Sequence, residues 1–354
     1  MNTLYDFGWS KASQLEWDRL NLVGFLPARV VADFGTSLKI AVPQIITAEL
    51  SGKLSHYTTR DETPKVGDWV AAKISDGGFA TVESVVLRSN EIARKVAGRR
   101  NLKQIIAANV DIAFVLLALD DDFSVERLRR FLYQLSVSAI KAVIVLNKAD
   151  KTDDLQSYTR QLREFDLPII VGTATNVSEL DEMAAMIAPG ETAILLGSSG
   201  VGKSTLTNKL LGRDAQRTRD VRASDLMGRH TTVHRELFLL PSGGMLIDTP
   251  GIRELQLWGT EEALDDNYDD IAELVGRCKY TTCRHESEQG CAIQQAFAAG
   301  TLDKKHYANY VKMKSELSLL NTRSVKLARL NNKRAKNVAK RKLENDSDDF
   351  AGDY

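Results

Sequence analysis

The chain has 354 residues, of which 43% are hydrophobic and 27% are charged, and its 47 Lys and Arg balance its 47 Asp and Glu. These values predict a soluble protein of two or three domains and exclude an overall positive charge as the basis of nucleic-acid binding. No apolar run approaches the roughly 20 residues of a membrane span, and residues 1–10 lack a signal-peptide pattern. We therefore expect a cytoplasmic protein without membrane contact.

Residues 1–95 predict an N-terminal extension followed by a small barrel. The extension is rich in aromatic residues and predicts a short helix. Five short strands separated by turn signals then indicate an OB-type β-barrel: Phe25–Asp33, Ser37–Val42, Ile45–Leu50, Asp68–Ile74 and Phe79–Leu87. Such barrels often bind oligonucleotides, and a purely structural barrel is the alternative. A cluster of basic residues follows the barrel: Arg88, Arg94, Lys95, Arg99 and Arg100. This segment is either a solvated linker or a loop that contacts phosphates.

Residues 101–257 alternate apolar strands with amphipathic helices, which predicts a mainly parallel α/β sheet with helices on both faces. The clearest helix is Val125–Val137. The candidate strands are Asp111–Leu119, Ala142–Leu146, Pro168–Val171, Ala193–Leu196, Leu237–Leu240 and Met245–Ile247.

A phosphate-binding loop lies where one of these strands turns into a helix. It consists of Gly197, Ser198, Ser199, Gly200, Val201, Gly202, Lys203, Ser204 and Thr205. Glycines let the backbone close around phosphate oxygens, and the amides at the helix start attract negative charge. We expect Lys203 to reach the β- and γ-phosphates and support catalysis, and the Ser204 hydroxyl to hold Mg²⁺.

The segment Asn147, Lys148, Ala149 and Asp150 follows another strand and predicts recognition of guanine. The Asp150 carboxylate can accept hydrogen bonds from the ring N–H and the exocyclic amine of guanine, a donor pair that adenine does not present. Asn147 can bond the base edge, and the Lys148 stem can cover a ring face.

Two further segments predict the nucleotide switches. Asp248-Thr249-Pro250-Gly251 follows a strand, so Asp248 can order Mg²⁺ through water and the Gly251 amide can approach the γ-phosphate. The other switch is the segment Arg229–His234, which lies before Asp248 in the chain, and in it we expect Thr231 or Thr232 to complete the magnesium shell. No glutamine follows Gly251 to orient water, and His230 is the candidate for that catalytic role. A histidine that only packs in the loop is the alternative.

These motifs occur in an unusual order along the chain. Asn147–Asp150 comes first, then the phosphate-binding loop, then Asp248–Gly251, whereas ordinary small GTPases begin with the phosphate-binding loop. The order indicates a circularly permuted GTPase domain, which is possible because the sheet brings the loops together. The segment after Gly251 then leads directly into the C-terminal domain, so nucleotide state can reach that domain mechanically.

Residues 258–345 predict a helical zinc-binding domain. Cys278, Cys283, His285 and Cys291 include every cysteine of the chain and supply the ligand set of one structural, tetrahedral Zn²⁺. Glu261–Val275 and Thr301–Leu320 predict helices. Arg323–Lys342 predicts either a phosphate-binding or a solvated basic helix, and residues 346–354 an acidic, disordered tail.

With these motifs the chain resembles the RsgA (YjeQ) family of circularly permuted GTPases that depend on the small ribosomal subunit. The resemblance covers nearly the full length and includes Val66-Gly67-Asp68-Trp69-Val70, Ala108-Asn109-Val110-Asp111 and Gly228-Arg229-His230-Thr231-Thr232. It implies a late-acting assembly factor that binds the subunit and its ribosomal RNA near the decoding region, through the barrel and the zinc domain. It also implies that the subunit stimulates hydrolysis of GTP to GDP and phosphate, coupled to release. We expect a monomer.

Two other functions remain open at this point. One is a GTP-switched RNA-binding module with weak hydrolysis. The other is a divergent paralogue that acts on another translation-associated RNA, because Val233 and Gly172-Thr173-Ala174 depart from the family pattern.

Overall fold

The structure is a computed structural model that describes residues 3–35, 37–42, 44–57, 62–75, 77–96, 102–173, 177–212, 235–249 and 256–322. The chain divides into two compact units, one formed by Met1–Lys95 with Lys103–Gln256 and the other by Val96–Leu102 with Leu257–Tyr354. The finer domain bounds given above stay a prediction. None of the helices in the described ranges combines the length and the apolarity needed to cross a bilayer.

The first unit begins with a 3₁₀ turn, Tyr5–Phe7, and helix α1, Lys11–Leu20, which starts where the Ser10 hydroxyl accepts a hydrogen bond from the Ser13 amide. Next come β1 (Leu26–Asp33), β2 (Leu38–Val42), β3 (Gln44–Leu50), helix α2 (Gly52–Tyr57), β4 (Trp69–Ile74) and β5 (Ala80–Leu87). The strands pair in the order β1-β2-β3-β5-β4, and β4 also pairs with β1, which closes the barrel. The predicted OB-type barrel is confirmed.

The basic segment after the barrel is structured. Strands β6 (Glu91–Lys95) and β7 (Lys103–Ala108) pair as a separate two-stranded sheet. Arg88 donates to the buried Asp68 carboxylate at 2.8 Å, and Arg94 donates to Gln104 at 3.0 Å. A solvated linker is therefore wrong for the described part of this segment. Arg99 and Arg100 lie outside the described residues, and phosphate contact stays a prediction.

In the described residues the central sheet has six strands: β8 (Ile112–Ala118), β9 (Lys141–Asn147), β10 (Ile169–Val171), β11 (Thr192–Gly197), β12 (Arg235–Leu239) and β13 (Met245–Asp248). They lie in the order β10-β9-β8-β11-β13-β12 and are parallel except for β12. The helices between them are α3 (Val125–Val137), α4 (Leu155–Leu162), α5 (Val177–Ala185) and α6 (Lys203–Leu210). The predicted α/β sheet is confirmed, as is helix Val125–Val137.

Both faces of this sheet are buried. Along β8, Val115 and Leu117 pack in one core cluster, while Phe114 and Leu116 pack in another. This alternation follows from the two-residue period of a strand, and covering both faces is typical of parallel sheets. Because β8, β9, β11 and β13 run in the same direction, the loops that follow them lie along one edge.

The barrel and the central sheet are joined through backbone pairing and one asparagine. Strand β1 pairs antiparallel with β12, so the barrel extends the sheet. Asn109 adopts a φ of 52°, and its side-chain amide donates to the carbonyls of Gly67 at 2.9 Å and Leu87 at 3.0 Å. The buried Arg29 guanidinium donates to the carbonyls of Phe7 and Asn109, both at 3.1 Å. These bonds satisfy buried and partly buried carbonyls that would be costly to leave unpaired.

The second unit is helical in its described part. It contains α7 (Glu261–Asp266), α8 (Asp269–Gly276), α9 (Ala292–Ala299) and helical residues 304–322. The prediction of a single helix over Glu261–Val275 is wrong, because the helix is interrupted at Tyr268. The Tyr268 ring is buried against His306, and its hydroxyl accepts a hydrogen bond from Asn309 at 2.9 Å. The predicted basic helix and the acidic tail lie outside the described residues.

Candidate nucleotide site and metal centre

The carboxyl ends of β8, β9, β11 and β13 bring the predicted nucleotide-binding segments to one edge of the sheet. Asn147 ends β9, Gly197 ends β11 and Asp248 ends β13. Ligands of open α/β sheets bind outside the carboxyl ends of the strands. The segments that the sequence separates by about a hundred residues therefore meet where such a site is expected.

The phosphate-binding loop needs glycine at two of its positions. Gly197 has a φ of 148°, and a Cβ there would lie 2.8 Å from the Leu116 carbonyl oxygen on β8. Gly202 has a φ of 105°, and a Cβ there would lie 2.2 Å from Nδ2 of Asn147. L-residues rarely adopt these conformations, and both positions also lack room for a side chain. Helix α6 begins directly after Gly202, with Ser204 and Thr205 half-buried in its first turn.

Lys203 and Asp248 form a buried pair of opposite charges. The Lys203 ammonium donates to the carbonyls of Gly197 at 2.9 Å and Ser198 at 2.5 Å. Burial lowers the pKa of Lys203 to about 8, while the charge of Asp248 acts in the opposite direction. Burial raises the pKa of Asp248 to about 6, against the charge of Lys203. Both charges are thus held away from water, where electrostatic attraction to another charged group is stronger than in bulk solvent.

The Asn147 side chain is hydrogen-bonded to the phosphate-binding loop and does not point to solvent. Its Nδ2 donates to the Val201 carbonyl at 2.6 Å, and both residues are buried. Lys148 has a φ of 61° and its Nζ bonds Asp120 at 2.8 Å. The Asp150 side chain is exposed beyond them. This arrangement leaves the Asp150 carboxylate accessible to a ligand at the same edge.

A glycine supports the segment that follows β10. The Ala149 amide donates to the Gly172 carbonyl at 3.0 Å, which ties the base-reading segment to this loop. A Cβ on Gly172 would overlap the Glu179 carboxylate, 1.3 Å from its Oε2. Glycine at position 172 thus has a packing reason, because any side chain there would need Glu179 to move.

Five residues of the predicted switch segments lie outside the part of the chain that the structure describes. Gly251, His230, Thr231 and Thr232 lie outside the described residues, as does Pro250. Thr249 is described, and its hydroxyl donates to the Leu195 carbonyl at 2.9 Å. Asp120 was missed by the sequence reasoning, although three aspartates directly after a buried strand are a signal that could have drawn attention to it.

The cysteines and one histidine of the second unit come together as predicted. One ligand atom each from Cys278, Cys283, His285 and Cys291 lie within 4.8 Å of one another. Nδ1 of His285 is 3.4 Å from the sulfur of Cys278 and 3.6 Å from that of Cys291. The His285 backbone has a φ of 62°, and its carbonyl accepts from Gln294 at 2.6 Å. This cluster has the composition and spacing of a site that holds a metal ion.

Comparison with known proteins decides the family. The family model described as RsgA GTPase matches residues 85–258. A protein of Opitutus terrae named small ribosomal subunit biogenesis GTPase RsgA is 38% identical over 328 residues, which cover 89% of this chain and 89% of that relative. The chain belongs to the RsgA GTPase family. A protein of the same name from Syntrophotalea carbinolica is 35% identical over 94% of this chain and 95% of its own length.

Solved structures agree with membership of the RsgA family at the level of the fold. The crystal structure of YjeQ from Thermotoga maritima has a TM-score of 0.58 and 24% identity, and covers 83% of this chain and 98% of that one. The structure of YloQ, described as a circularly permuted GTPase, has a TM-score of 0.56 and 23% identity, and covers 83% of this chain and 95% of that one. The family model and the relatives confirm the predicted family and the enzyme class, a GTP-hydrolysing enzyme, and the solved structures confirm the fold class.

Proposed function

We propose that this chain hydrolyses GTP to GDP and phosphate during late maturation of the small ribosomal subunit, with turnover stimulated by the subunit and coupled to release. The observation that carries the proposal is the hydrogen bond from Asn147 to the Val201 carbonyl, because it holds the base-reading segment against the phosphate-binding loop. The names of the relatives supply the ribosomal context. GTP turnover with and without purified small subunits tests it.

In this proposal the phosphate-binding loop Gly197–Thr205 takes the phosphates. An ammonium has three donors, and Lys203 uses two of them on loop carbonyls, so a third is left for a phosphate oxygen. The Ser204 hydroxyl and the Asp248 carboxylate are oxygen donors of the kind Mg²⁺ prefers. When bound, Mg²⁺ would neutralise charge on the phosphates. Asp248 fits this role, since a carboxylate 5% exposed gains from a cation.

The switch residues complete the proposed site. We assign His230 to orienting the attacking water, Thr231 or Thr232 to the magnesium shell, and the Gly251 amide to the γ-phosphate. The support is their place in the motif order of a GTPase family member, and a replacement of His230 by Ala that leaves turnover unchanged would remove His230 from the assignment.

Recognition of guanine by Asp150 has a sharp test. Asp150→Asn replaces a double acceptor with a group that can donate to the 2-oxo group of xanthine. We expect the variant to bind GDP at least about tenfold more weakly and to gain affinity for xanthosine diphosphate, because a base lacking its partner leaves polar groups unpaired. Asp153→Asn, an exposed neighbour, is the matched control. Equal loss in both variants, or no exchange of preference, would contradict the assignment.

We further propose that the metal is one structural Zn²⁺. A tetrahedral site with Zn–S of about 2.3 Å and Zn–N of about 2.0 Å places sulfur and nitrogen ligands about 3.5 Å apart. The separations of 3.4 and 3.6 Å around His285 agree with this value. Cys278, Cys283, His285 and Cys291 fill all four positions, so the ion would stabilise the fold and would not activate water.

The proposed domains are the extension and barrel at 1–95, the GTPase domain at 101–257, the zinc domain at 258–345 and the acidic tail at 346–354. The barrel and the zinc domain would contact the subunit and its ribosomal RNA. The support for the barrel is its OB-type closure and an exposed Lys39 that lies 5.7 Å from the ring of Phe34, a pairing suited to phosphate and base. A monomer in the cytoplasm remains our expectation.

A further inference from the structure

The loop that joins β8 to α3 connects two nucleotide-binding segments that lie far apart in the sequence. Nζ of Lys148 bonds Oδ2 of Asp120 at 2.8 Å, and Oδ1 of Asp120 accepts from the Asp122 amide at 3.0 Å. Oδ2 of Asp122 in turn accepts a hydrogen bond from the hydroxyl of Ser198. A continuous chain of hydrogen bonds thus runs from the base-reading segment to the phosphate-binding loop.

The Asp122 carboxylate is held in place by its own partner. Both terminal nitrogens of Arg127 bond it, at 2.8 and 2.9 Å, and one of them also donates to the Asp122 carbonyl at 3.0 Å. A bidentate pair of this kind fixes direction as well as distance. Arg127 lies in the first turn of α3, whose start is capped by Ser124. The acceptor for Ser198 is therefore positioned by a helix.

The charges in this loop are compatible with a bound phosphate. Burial raises the pKa of Asp122, but the hydrogen bonds from Arg127 and Ser198 together lower it by more than burial raises it. The net shift of the pKa is downward, so the carboxylate is ionised at neutral pH. A free carboxylate near phosphates would repel them. Because Arg127 neutralises this one, the hydrogen bond to Ser198 remains while the repulsion is reduced.

We propose that Asp122 is a positioning residue for the nucleotide: its carboxylate fixes Ser198 in the first turn of the phosphate-binding loop, while its backbone amide bonds Asp120, the partner of Lys148. This inference rests on the proposed nucleotide site. The Asp122 carboxylate acts on the ligand through another residue, since its function is to limit the orientations of Ser198 before the nucleotide binds.

The test measures binding and dissociation of fluorescent GDP with the full-length chain. Asp122→Ala removes the acceptor, and we expect the Kd to rise about five- to tenfold, the scale of losing one typical hydrogen bond. Asp122→Asn keeps an acceptor oxygen, and we expect it to restore binding to within about twofold. Asp121→Ala, at an exposed neighbour that has no hydrogen bond within the described residues, should bind like the wild type.

A double-mutant cycle separates this role from a general effect on the fold. If Asp122 acts through Ser198, Asp122→Ala combined with Ser198→Ala should bind no more weakly than the weaker single variant. The inference would be overturned by additive losses, by Asp122→Ala binding like Asp121→Ala, or by tighter binding, which would show that repulsion dominates. A wild-type chain that is folded and does not bind GDP would overturn the proposed nucleotide site and this inference with it.

Discussion

The Asp248→Asn variant should stabilise the nucleotide-free protein while it weakens the response to magnesium and nucleotide. Asp248 is 5% exposed, and its pKa in the folded protein is about 6, above its ordinary value of 3.8. The folded state therefore binds the proton more tightly than the unfolded state, and stability falls as the pH rises from about 4 to about 6. Asn resembles the protonated form and does not carry that cost.

The size of the effect follows from the two pKa values. The difference of about two units corresponds to a variant more stable by about 2 kcal/mol at pH 5 and by about 3 kcal/mol at pH 7.5. For a unit of this size the larger value raises the Tm by on the order of 5–10 °C.

The assay is thermal unfolding of both proteins between pH 5 and pH 8, without nucleotide and then with GDP and magnesium. We expect the ligands to raise the Tm of the wild type more than that of the variant, because only the wild type presents the Asp248 carboxylate. Asp248→Asn being less stable at pH 7.5, or a difference between the proteins that does not change with pH, would refute the reasoning.

Two further predictions concern the glycine loop and the metal. Gly202→Ala should abolish GDP binding, since its Cβ would lie 2.2 Å from Nδ2 of Asn147. In Gly200→Ala the new Cβ would have no atom of the described residues within 4 Å, so GDP titration should show only the smaller loss due to its φ of 81°. Removal of metal by a strong chelator should reduce the helical circular dichroism of the second unit and be reversed by added Zn²⁺, and Cys283→Ser should lose the response. Unchanged dichroism after complete removal of metal would contradict a structural role.

The parts of the fold that the sequence predicts best are those set by local patterns. Strand β8 and helix α3 follow from apolar runs and a helical period, and the loop Gly197–Thr205 follows from its fixed glycine spacing. Each of these signals lies within about fifteen neighbouring residues. The Cys278–Cys291 cluster was also predictable, because ligand type and spacing are enough to define it.

The parts that could not be predicted depend on contacts between distant segments. The β6–β7 hairpin pairs a segment of mixed charge whose strands carry no clear alternation, and Arg88 lies in an internal ion pair with Asp68 that a count of basic residues does not reveal. The break between α7 and α8 depends on packing of Tyr268 against His306, which lies on a later helix. Such tertiary contacts override local helical preference.

In the candidate site, too, some features could be predicted from the sequence and others depend on contacts between distant segments. Glycine conformations and the roles of Lys203 and Asp150 can be argued from motif chemistry. The connection from Lys148 through Asp120 to Ser198 could not, because it requires that β8 lies between β9 and β11 in the sheet. Chain order alone does not give that neighbourhood in a permuted domain.

The most direct test of the central claim is the rate of GTP hydrolysis by the purified chain with and without purified small ribosomal subunits. We expect slow turnover by the chain alone and a large rise in kcat with small subunits, and no such rise with large subunits as the matched control. Equal rates in all three conditions would contradict a subunit-stimulated GTPase and would favour a nucleotide-switched RNA-binding module.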